Sequence, residues 1–288
     1  MNQPRLFQTF FQDKALVFLH RIIDLALEED GSDFTSDAVF TSDSEAGAVV
    51  KAKQEAVIAG LPAIGIILGR IPGSASVSLE LEDGATAQAG QTLARIQGSA
   101  RQILKAERVI LNFVSRLSGI ATLTRQFCLK LEGTGVILLD TRKTTPGMRY
   151  PEKYAVLAGG ANNHRHNLES MLMLKDNHID MCGSISKAVK QLRTAYAPCP
   201  PIEVECRSVA DVHEAVSSRI NRIMLDNMNM QEMRKALAII PENIESEISG
   251  RVDLSNLEQY ASLKPTYISS GAITHSAMPI DLSMEIEV

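Results

Sequence analysis

Hydrophobic residues in the first hundred positions follow two different periods. Residues 14–29 carry apolar side chains at helical spacing, and Gly31 follows this stretch, which predicts an amphipathic helix that ends near the glycine. Across residues 77–96 apolar and polar residues alternate, with Asp83-Gly84 and Ala89-Gly90 as breaks. Alternation interrupted by such pairs is typical of β-hairpins. This part of the chain is therefore predicted to be α+β with an antiparallel sheet.

The longest helical pattern covers residues 101–131. Gly119 lies inside it and is expected to divide it into two helices, because glycine weakens the interior of a helix.

After residue 131 the pattern changes to short apolar runs that end abruptly in polar residues. The residues that end these runs are Asp140, Lys175, Glu205, Asp226, Ser249 and Ser270. Helical patterns lie between several runs, as at 185–196 and 209–217. Strands that alternate with helices at this spacing predict a parallel β/α array. Roughly six such units favour an incomplete barrel, because eight units need about 250 residues.

The composition indicates a folded chain and excludes several classes of protein. The 288 residues are 45% hydrophobic and 22% charged, with a net charge of −5, which argues against disorder and against a general nucleic-acid binder. The longest apolar stretch, 56–68, is interrupted by glycines and Pro62 and is too short to cross a bilayer. The four cysteines form no Cys-x-x-Cys pair. A cytoplasmic location without disulfides or a zinc site is therefore expected.

The polar residues at the predicted strand ends are the candidates for chemistry. In parallel barrels the carboxyl ends of the strands face one rim. Three cations, two carboxylates and two hydroxyl residues would meet there: Arg142, Lys143, Lys175, Glu205, Asp226, Ser249 and Ser270. Cations and glycine-flanked backbone amides bind phosphates, and carboxylates bind Mg²⁺ or sugar hydroxyls. Together these residues predict a site for a strongly anionic ligand.

Each candidate also has a structural interpretation. Arg142-Lys143 fits a solvated loop, Lys175 fits a surface ion pair with Asp176, and Asp226 fits the N-cap of a following helix. Alternation within residues 202–206 would leave one face of that strand in solvent. Isolated histidines such as those at 164 and 166 are more often structural. Five methionines are interpreted as core filler: Met171, Met173, Met224, Met228 and Met230.

A set of motifs in fixed order carries a family resemblance. The motifs are Asp140–Gly147, Asn163–Arg165, Lys175–His178, Glu203–Glu205, Met224–Met228, Glu247–Gly250 and Gly271–Ser276, preceded by Glu107-Arg108 and Leu117–Thr122. With them the chain resembles the quinolinate phosphoribosyltransferases, also called nicotinate-nucleotide pyrophosphorylases (carboxylating). The resemblance covers nearly the whole length and is most specific from residue 107 onward.

The resemblance implies an α/β fold of two domains. An N-terminal α/β sandwich domain at 1–115, to which a C-terminal tail at about 275–288 returns, would precede an incomplete, seven-stranded α/β barrel at 116–274. The implied reaction converts quinolinate and phosphoribosyl pyrophosphate, with Mg²⁺, to nicotinate mononucleotide, pyrophosphate and CO₂ in NAD biosynthesis. The implied assembly is a homodimer or a higher homo-oligomer with sites at the subunit interface, and neither a membrane nor a nucleic acid is an expected partner.

The resemblance also implies roles for individual residues. The carboxylates of quinolinate would be bound by Arg108, Arg142, His164, Arg165 and Lys175, with Arg108 supplied by the neighbouring subunit. Lys143 would contact the pyrophosphate, and Glu205 and Asp226 would face the ribose hydroxyls and Mg²⁺, directly or through water. The remaining expected substrate contacts are Thr141, Ser249, Gly250, Arg251, Ser270, Gly271 and Ala272. The residues expected to act in catalysis are Lys143, Lys175, Glu205 and Asp226.

Three positions depart from the family pattern. Arg251 stands where a second glycine is common, residues 166–170 replace a Gly-Leu pair before an acidic residue, and Asn162 replaces a histidine. Two related functions also stay open as alternatives. One is a molybdenum-transport-associated homologue, which shares the Thr-Arg-Lys-Thr strand end but departs at the Lys175–His178 motif. The other is a non-catalytic nucleotide-binding homologue, which the retained charged positions disfavour.

Overall fold

A computed structural model describes residues 6–287 of the chain. It forms two compact units. Of the described residues, the first unit contains 6–125, 144–160 and 274–287, and the second contains 126–143 and 161–273. The predicted domain boundary at 115/116 stays a prediction. No helix among residues 6–287 combines the length and the apolar character that a bilayer crossing requires.

The elements alternate as the sequence patterns indicate. The helices are α1 (Leu6–Phe10), α2 (Asp13–Asp30), α3 (Phe34–Val39), α4 (Ala63–Leu68), α5 (Ala100–Leu131), α6 (Arg149–Gly159), α7 (Asp176–Cys182), α8 (Ile185–Ala195), α9 (Val209–Ser217), α10 (Met230–Leu237), α11 (Leu257–Ala261) and α12 (Ala272–His275). The strands are β1 (Glu45–Ala52), β2 (Ala56–Val57), β3 (Ser76–Leu79), β4 (Thr86–Ala87), β5 (Thr92–Ser99), β6 (Ile137–Leu139), β7 (Leu172–Leu174), β8 (Ile202–Cys206), β9 (Arg222–Asp226), β10 (Glu245–Ser249), β11 (Tyr267–Ser269) and β12 (Leu282–Glu287).

The first unit is built on an antiparallel sheet with strand order β12-β1-β5-β3. The C-terminal strand β12 pairs with β1, with Ala52 opposite Leu282. The antiparallel sheet is as predicted, but the two hairpins are wrong, because β3 pairs with β5 and β4 pairs with β2. The Asp83 carboxylate instead accepts hydrogen bonds from the backbone N–H groups of Gly60 and Leu61, at 2.7 and 3.1 Å. The Asp-Gly pair therefore organises a loop.

The helix predictions hold except at one glycine. The helix α2 ends at Gly31, which has φ +64°, as predicted. The expected division at Gly119 is wrong, because α5 runs unbroken from residue 100 to 131. A Cβ atom at Gly119 would lie 2.1 Å from the carbonyl oxygen of Met278. The glycine therefore permits a close backbone approach rather than ending the helix.

The second unit is an open parallel sheet with strand order β6-β11-β10-β9-β8-β7. All six predicted strand ends lie within one residue of the ends of its strands. The predicted incomplete α/β barrel is thus confirmed as an α/β unit with a parallel sheet of six strands. The expected seventh strand is reduced to a single parallel bridge between Leu139 and Asn162. All five residues of β8 are buried, so the sheet is covered on both faces, as parallel sheets usually are.

Replacement of Gly119 tests the close approach of helix α5 to the Met278 backbone. We expect Gly119→Ala to lower the free energy of unfolding by about 1–3 kcal/mol, because the added methyl group overpacks the contact with Met278. The control is Gly65→Ala in α4, where the added Cβ would lie 3.4 Å from the Val77 side chain. That change should be neutral or raise stability by up to about 1 kcal/mol, as alanine does in helices. Urea unfolding of both variants is the measurement, and equal stabilities would contradict this account.

Candidate active site

A cavity of about 610 Å³ lies at the carboxyl ends of the parallel strands in the second unit. Its wall contains most of the residues that the sequence singled out: Thr141, Arg142, Lys143, His164, Arg165, Lys175, Glu205, Asp226, Ser249, Gly250 and Arg251. Parallel sheets of α/β proteins bind their ligands at this edge. The predicted convergence of charged strand ends is therefore present in the fold, whereas the role of each residue stays a prediction.

Strand register explains why these residues meet. In adjacent strands Leu174 lies opposite Val204, so the next residues, Lys175 and Glu205, lie at the same level at the carboxyl edge of the sheet. The Lys175 Nζ atom lies 2.6 Å from Glu205 Oε2. Lys175 is therefore paired across the sheet edge, and the alternative of a surface pair with Asp176 is wrong.

The carboxylates Glu205 and Asp226 lie on neighbouring strands and both face the cavity. Glu205 is 7% exposed, so the alternative of a solvent-facing Glu205 is wrong. Asp226 accepts a hydrogen bond from Asn227 Nδ2 at 2.7 Å. The N-cap of the following helix is Asn229, whose side chain accepts from two backbone N–H groups. Asp226 is therefore not needed as a cap.

The cationic part of the wall depends on a buried carboxylate. Asp140, which is fully buried, accepts hydrogen bonds from the His164 backbone N–H and from Asn163 Nδ2, each at 2.8 Å. These bonds hold the loop that presents His164 and Arg165. Burial, together with the neighbouring Arg142 guanidinium, lowers the pKa of Arg165. Two guanidinium groups held this close favour an anionic ligand between them.

The Ser249–Arg251 turn requires glycine at its centre. Gly250 has φ +98°, and a Cβ atom there would lie 2.5 Å from Asn227 Oδ1 and 2.7 Å from the Asn227 backbone nitrogen. The next residue, Arg251, is exposed and has φ +50°. This tight turn brings backbone groups to the cavity wall, where a phosphate could lie against them.

The other predicted contacts lie elsewhere. Arg108 is exposed on α5, within the part of that helix that belongs to the first unit. Ser270 is buried, and its hydroxyl donates to the Val252 carbonyl at 2.7 Å and accepts from the Ala272 backbone N–H at 3.2 Å. Ser269 rather than Ser270 lines the cavity. The substrate contacts assigned to Arg108, Ser270, Gly271 and Ala272 remain predictions.

The sequence interpretation missed part of the wall. Met173 and Met224, which were assigned to the core, line the cavity together with Asn227 and Ser269. The signal was present in the strand alternation, because each methionine lies two residues before a predicted site residue and therefore faces the same side. Two thioether side chains give a polar cavity an apolar surface on which an aromatic ring can pack.

Comparison with known proteins gives the family. The family model described as "Quinolinate phosphoribosyl transferase, N-terminal domain" matches residues 33–118, and the corresponding C-terminal domain model matches residues 120–285. The chain belongs to the quinolinate phosphoribosyltransferase family. The resemblance drawn from the motifs is thereby confirmed. Membership supports quinolinate phosphoribosyltransferase activity in NAD biosynthesis, which is the activity of a nicotinate-nucleotide diphosphorylase (carboxylating).

Proteins similar to this chain match it over most of its length. "Quinolinate phosphoribosyltransferase [decarboxylating] 1b" of Nicotiana tabacum is 37% identical and covers 93% of this chain and 82% of its own. "Probable nicotinate-nucleotide pyrophosphorylase [carboxylating]" of Bacillus subtilis is 39% identical and covers 90% of each chain. The crystal structure of NadC from Streptococcus pyogenes has a TM-score of 0.89 at 37% identity, covering 96% of this chain and 99% of its own. The transferase fold therefore extends over both matched regions.

Replacement of Gly250 tests the turn at the cavity wall. Alanine at a positive φ alone costs about 1–2 kcal/mol, and the collision with Asn227 should add about 1–3 kcal/mol. The matched control is Gly133→Ala, since Gly133 has φ +76° and no atom within 4 Å of an added Cβ. Urea unfolding should show Gly250→Ala as clearly the less stable variant. Equal losses in the two variants would show that the contact with Asn227 does not constrain the turn.

Proposed function

We propose that the cavity of the second unit binds quinolinate and phosphoribosyl pyrophosphate side by side. Their reaction gives nicotinate mononucleotide, pyrophosphate and CO₂. The observation that carries this proposal is the charge pattern of one wall, on which the Arg142 and Arg165 guanidinium groups and the Glu205 and Asp226 carboxylates converge. Two anionic reactants need the cations, and a sugar that becomes electron-poor during the reaction needs the carboxylates.

Quinolinate binds through its two carboxylates and its ring. Arg142, His164 and Arg165 hold the carboxylates, because planar guanidinium groups match carboxylate geometry. The pyridine ring packs on Met173 and Met224. A substrate carboxylate also competes with Glu205 for Lys175, which lies 2.6 Å from that glutamate, so quinolinate can draw the lysine away and expose the Glu205 carboxylate to the sugar.

Phosphoribosyl pyrophosphate binds with its 5′-phosphate on the turn of Ser249 and Gly250 and on the backbone near Gly271. Arg251 is exposed beside this turn, where its guanidinium adds a cation at the phosphate. Lys143 holds the pyrophosphate, and Thr141 orients the Lys143 segment, since its hydroxyl accepts a hydrogen bond from the Lys143 backbone N–H at 3.1 Å.

The family reaction implies Mg²⁺, and two residues of the cavity suit it. Glu205 and Asp226 present carboxylate oxygens on the wall, which are the ligands that Mg²⁺ prefers when it also binds a substrate phosphate. When bound, Mg²⁺ neutralises charge on the pyrophosphate. These two residues would hold it, directly or through water.

The chain's own residues stabilise charge at each stage of the reaction. As pyrophosphate leaves ribose C1, positive charge develops on the sugar, and Glu205 and Asp226 stabilise it. The Lys143 ammonium group stabilises the departing anion. The pyridine nitrogen then attacks C1. The pyridinium that results stabilises the carbanion left on the adjacent ring carbon when its carboxylate leaves as CO₂, and a proton from solvent then adds to that carbon. This sequence needs no protein base.

The oligomer and the location complete the proposal. The exposed Arg108 contributes to the quinolinate site of a neighbouring subunit in a homodimer or a higher oligomer. The reaction takes place in the cytoplasm, a location supported by the cysteine pattern, which shows no Cys-x-x-Cys pair.

A single assay tests the reaction. We expect CO₂ release from carboxyl-labelled quinolinate that depends on phosphoribosyl pyrophosphate and is abolished by a chelator and restored by Mg²⁺. Quinolinate binding without CO₂ release would indicate a non-catalytic homologue. Transfer to another base, with quinolinate inert, would indicate the molybdenum-transport-associated homologue.

Removal of one electrostatic group tests the assigned roles. Lys143→Ala and Glu205→Gln should each lower kcat on the order of 10²-fold or more, because each removes a charge that stabilises the transition state. The matched control is Asp180→Asn, which removes a carboxylate from the exposed ion pair with Arg207, at 2.6 Å, and should leave kcat unchanged. Near-normal turnover of both Lys143→Ala and Glu205→Gln, with folding verified, would refute the roles.

A further inference from the structure

A second charged cluster lies in the interior of the parallel sheet, and of its members the reaction proposed above uses only His164. Glu203 of β8 and Glu247 of β10 are both 0% exposed. The Nε2 atom of His164 lies 3.1 Å from Glu203 Oε2 and 3.5 Å from Glu247 Oε2. His164 also lines the cavity, so one side chain connects the buried acids to the site.

Arg222 of β9 supplies a second cation to this cluster. Its Nη1 atom lies 3.4 Å from Glu247 Oε2, and its Nη2 atom lies 2.8 Å from Glu245 Oε2. Its guanidinium carbon also lies 4.1 Å from the centre of the Tyr267 ring. Buried charges must be compensated, since an uncompensated one costs several kcal/mol. Two fully buried carboxylates facing Arg222 therefore require one further positive charge.

Three species could supply that charge: a metal ion, a protonated His164 or a proton on Glu203 itself. Burial raises the pKa of Glu203, the hydrogen bond with His164 lowers it, and the neighbouring Glu247 raises it. Between Glu203 and His164 the proton favours the imidazole, which is the stronger base. The ligand atoms of His164, Glu203 and Glu247 lie within 4.8 Å of one another, which would suit a metal. However, the Arg222 guanidinium already lies 3.4 Å from Glu247, so the two buried carboxylates need only one further positive charge, and a divalent ion would add two. The geometry therefore favours the imidazolium.

The two nitrogens of His164 have different tasks. Nε2 faces Glu203 and Glu247, whereas Nδ1 accepts a hydrogen bond from the Arg165 backbone N–H at 2.8 Å. A neutral ring thus carries its proton on Nε2, and the second proton must go to Nδ1. Protonation would turn Nδ1 into a donor beside the Arg165 N–H, and a carboxylate oxygen placed between them could accept from both groups.

We propose that Glu203 and Glu247 are positioning residues that hold His164 as a fixed imidazolium, which binds a carboxylate of the substrate. This inference rests on the proposed quinolinate site. Burial lowers the pKa of His164. The hydrogen bonds and charges of Glu203 and Glu247 raise it by more than that, and the resulting pKa is about 9. Further charged groups lie near this cluster. Asp140 accepts a hydrogen bond from the His164 backbone N–H, Arg165 follows His164 and is influenced by the Arg142 charge, and Arg222 on β9 contacts Glu247.

The sign of the pH dependence follows from the raised pKa. Binding of a substrate carboxylate to the imidazolium should be complete well below pH 9 and should weaken as the pH rises through that value. Loss of one buried carboxylate lowers the pKa of His164, so the weakening should move to lower pH. A merely structural defect would instead reduce binding at every pH.

The first test is nuclear magnetic resonance of the ¹⁵N-labelled imidazoles. The His164 signal is identified among the six histidines by its absence in His164→Gln. We expect its titration midpoint near 9 in the wild type and about two units lower in Glu203→Gln, which corresponds to about 2.7 kcal/mol. A wild-type midpoint at or below the ordinary histidine value of about 6.5 would overturn the inference without use of any buried-site variant.

The second test separates the inference from the proposed function. For Glu203→Gln at pH 8 we expect the KM for quinolinate to rise about tenfold, equivalent to one charge-assisted hydrogen bond, and to recover at pH 6. The KM for phosphoribosyl pyrophosphate should stay unchanged. The matched control is Glu245→Gln, which removes another carboxylate paired with Arg222, whereas the carboxylates that His164 Nε2 approaches are those of Glu203 and Glu247.

The outcomes are distinct. Equal quinolinate KM values and pH profiles for Glu203→Gln and Glu245→Gln would overturn the inference while leaving the proposed function intact. A wild-type protein that does not turn over quinolinate would overturn the proposed function itself. Elemental analysis of the purified wild type gives a further check, since equimolar zinc or manganese that is lost in Glu203→Gln would replace the imidazolium by a metal site.

Discussion

Charge compensation inside the parallel sheet is the constraint on which the rest of the site depends. Glu203 and Glu247 are fully buried, and such groups persist in folded proteins only when cations and hydrogen bonds compensate them. Arg222 lies 3.4 Å from Glu247 and His164 lies 3.1 Å from Glu203. Because His164 belongs both to this cluster and to the cavity wall, the acids of the interior influence the charge that a ligand meets.

Strand register determines which acidic side chains lie beneath the cavity and which lie on its wall. Side chains alternate across a strand, so Glu203 and Glu205 face the same side of β8, one beneath the cavity and one on its wall. A shift by one residue would exchange the two faces and bury different side chains. The tight turn at Gly250 and the hydrogen bonds that Asp140 accepts from the loop of His164 then fix the irregular segments. The cations and carboxylates of the wall are thus held by the sheet and by short loops attached to it.

Much of this arrangement was predictable from the sequence, and the errors have physical causes. Strand ends such as Asp140 and Asp226 were recognisable because an apolar run stops abruptly there. Local patterns do not reveal which partner an element meets, so Gly119 was interpreted as a break although it permits contact with Met278. The Asp83-Gly84 pair was likewise assigned to a hairpin whose strands pair elsewhere.

Within the site, sequence-based prediction failed for different reasons. The motif comparison identified the family and most of the cavity wall, but apolar residues such as Met173 carry no chemical signature and were assigned to the core. The buried acids were missed as a cluster, because Glu203 and Glu247 are far apart in sequence and meet only through the strand order β10-β9-β8.

The most direct test of the central claim is a crystal structure of the protein with quinolinate, Mg²⁺ and an unreactive analogue of phosphoribosyl pyrophosphate. The account predicts the carboxylates of quinolinate against Arg142, His164 and Arg165, and the ribose with its metal beside Glu205 and Asp226. Ligands bound away from this cavity, or carboxylates of quinolinate that contact none of the three cations, would contradict it.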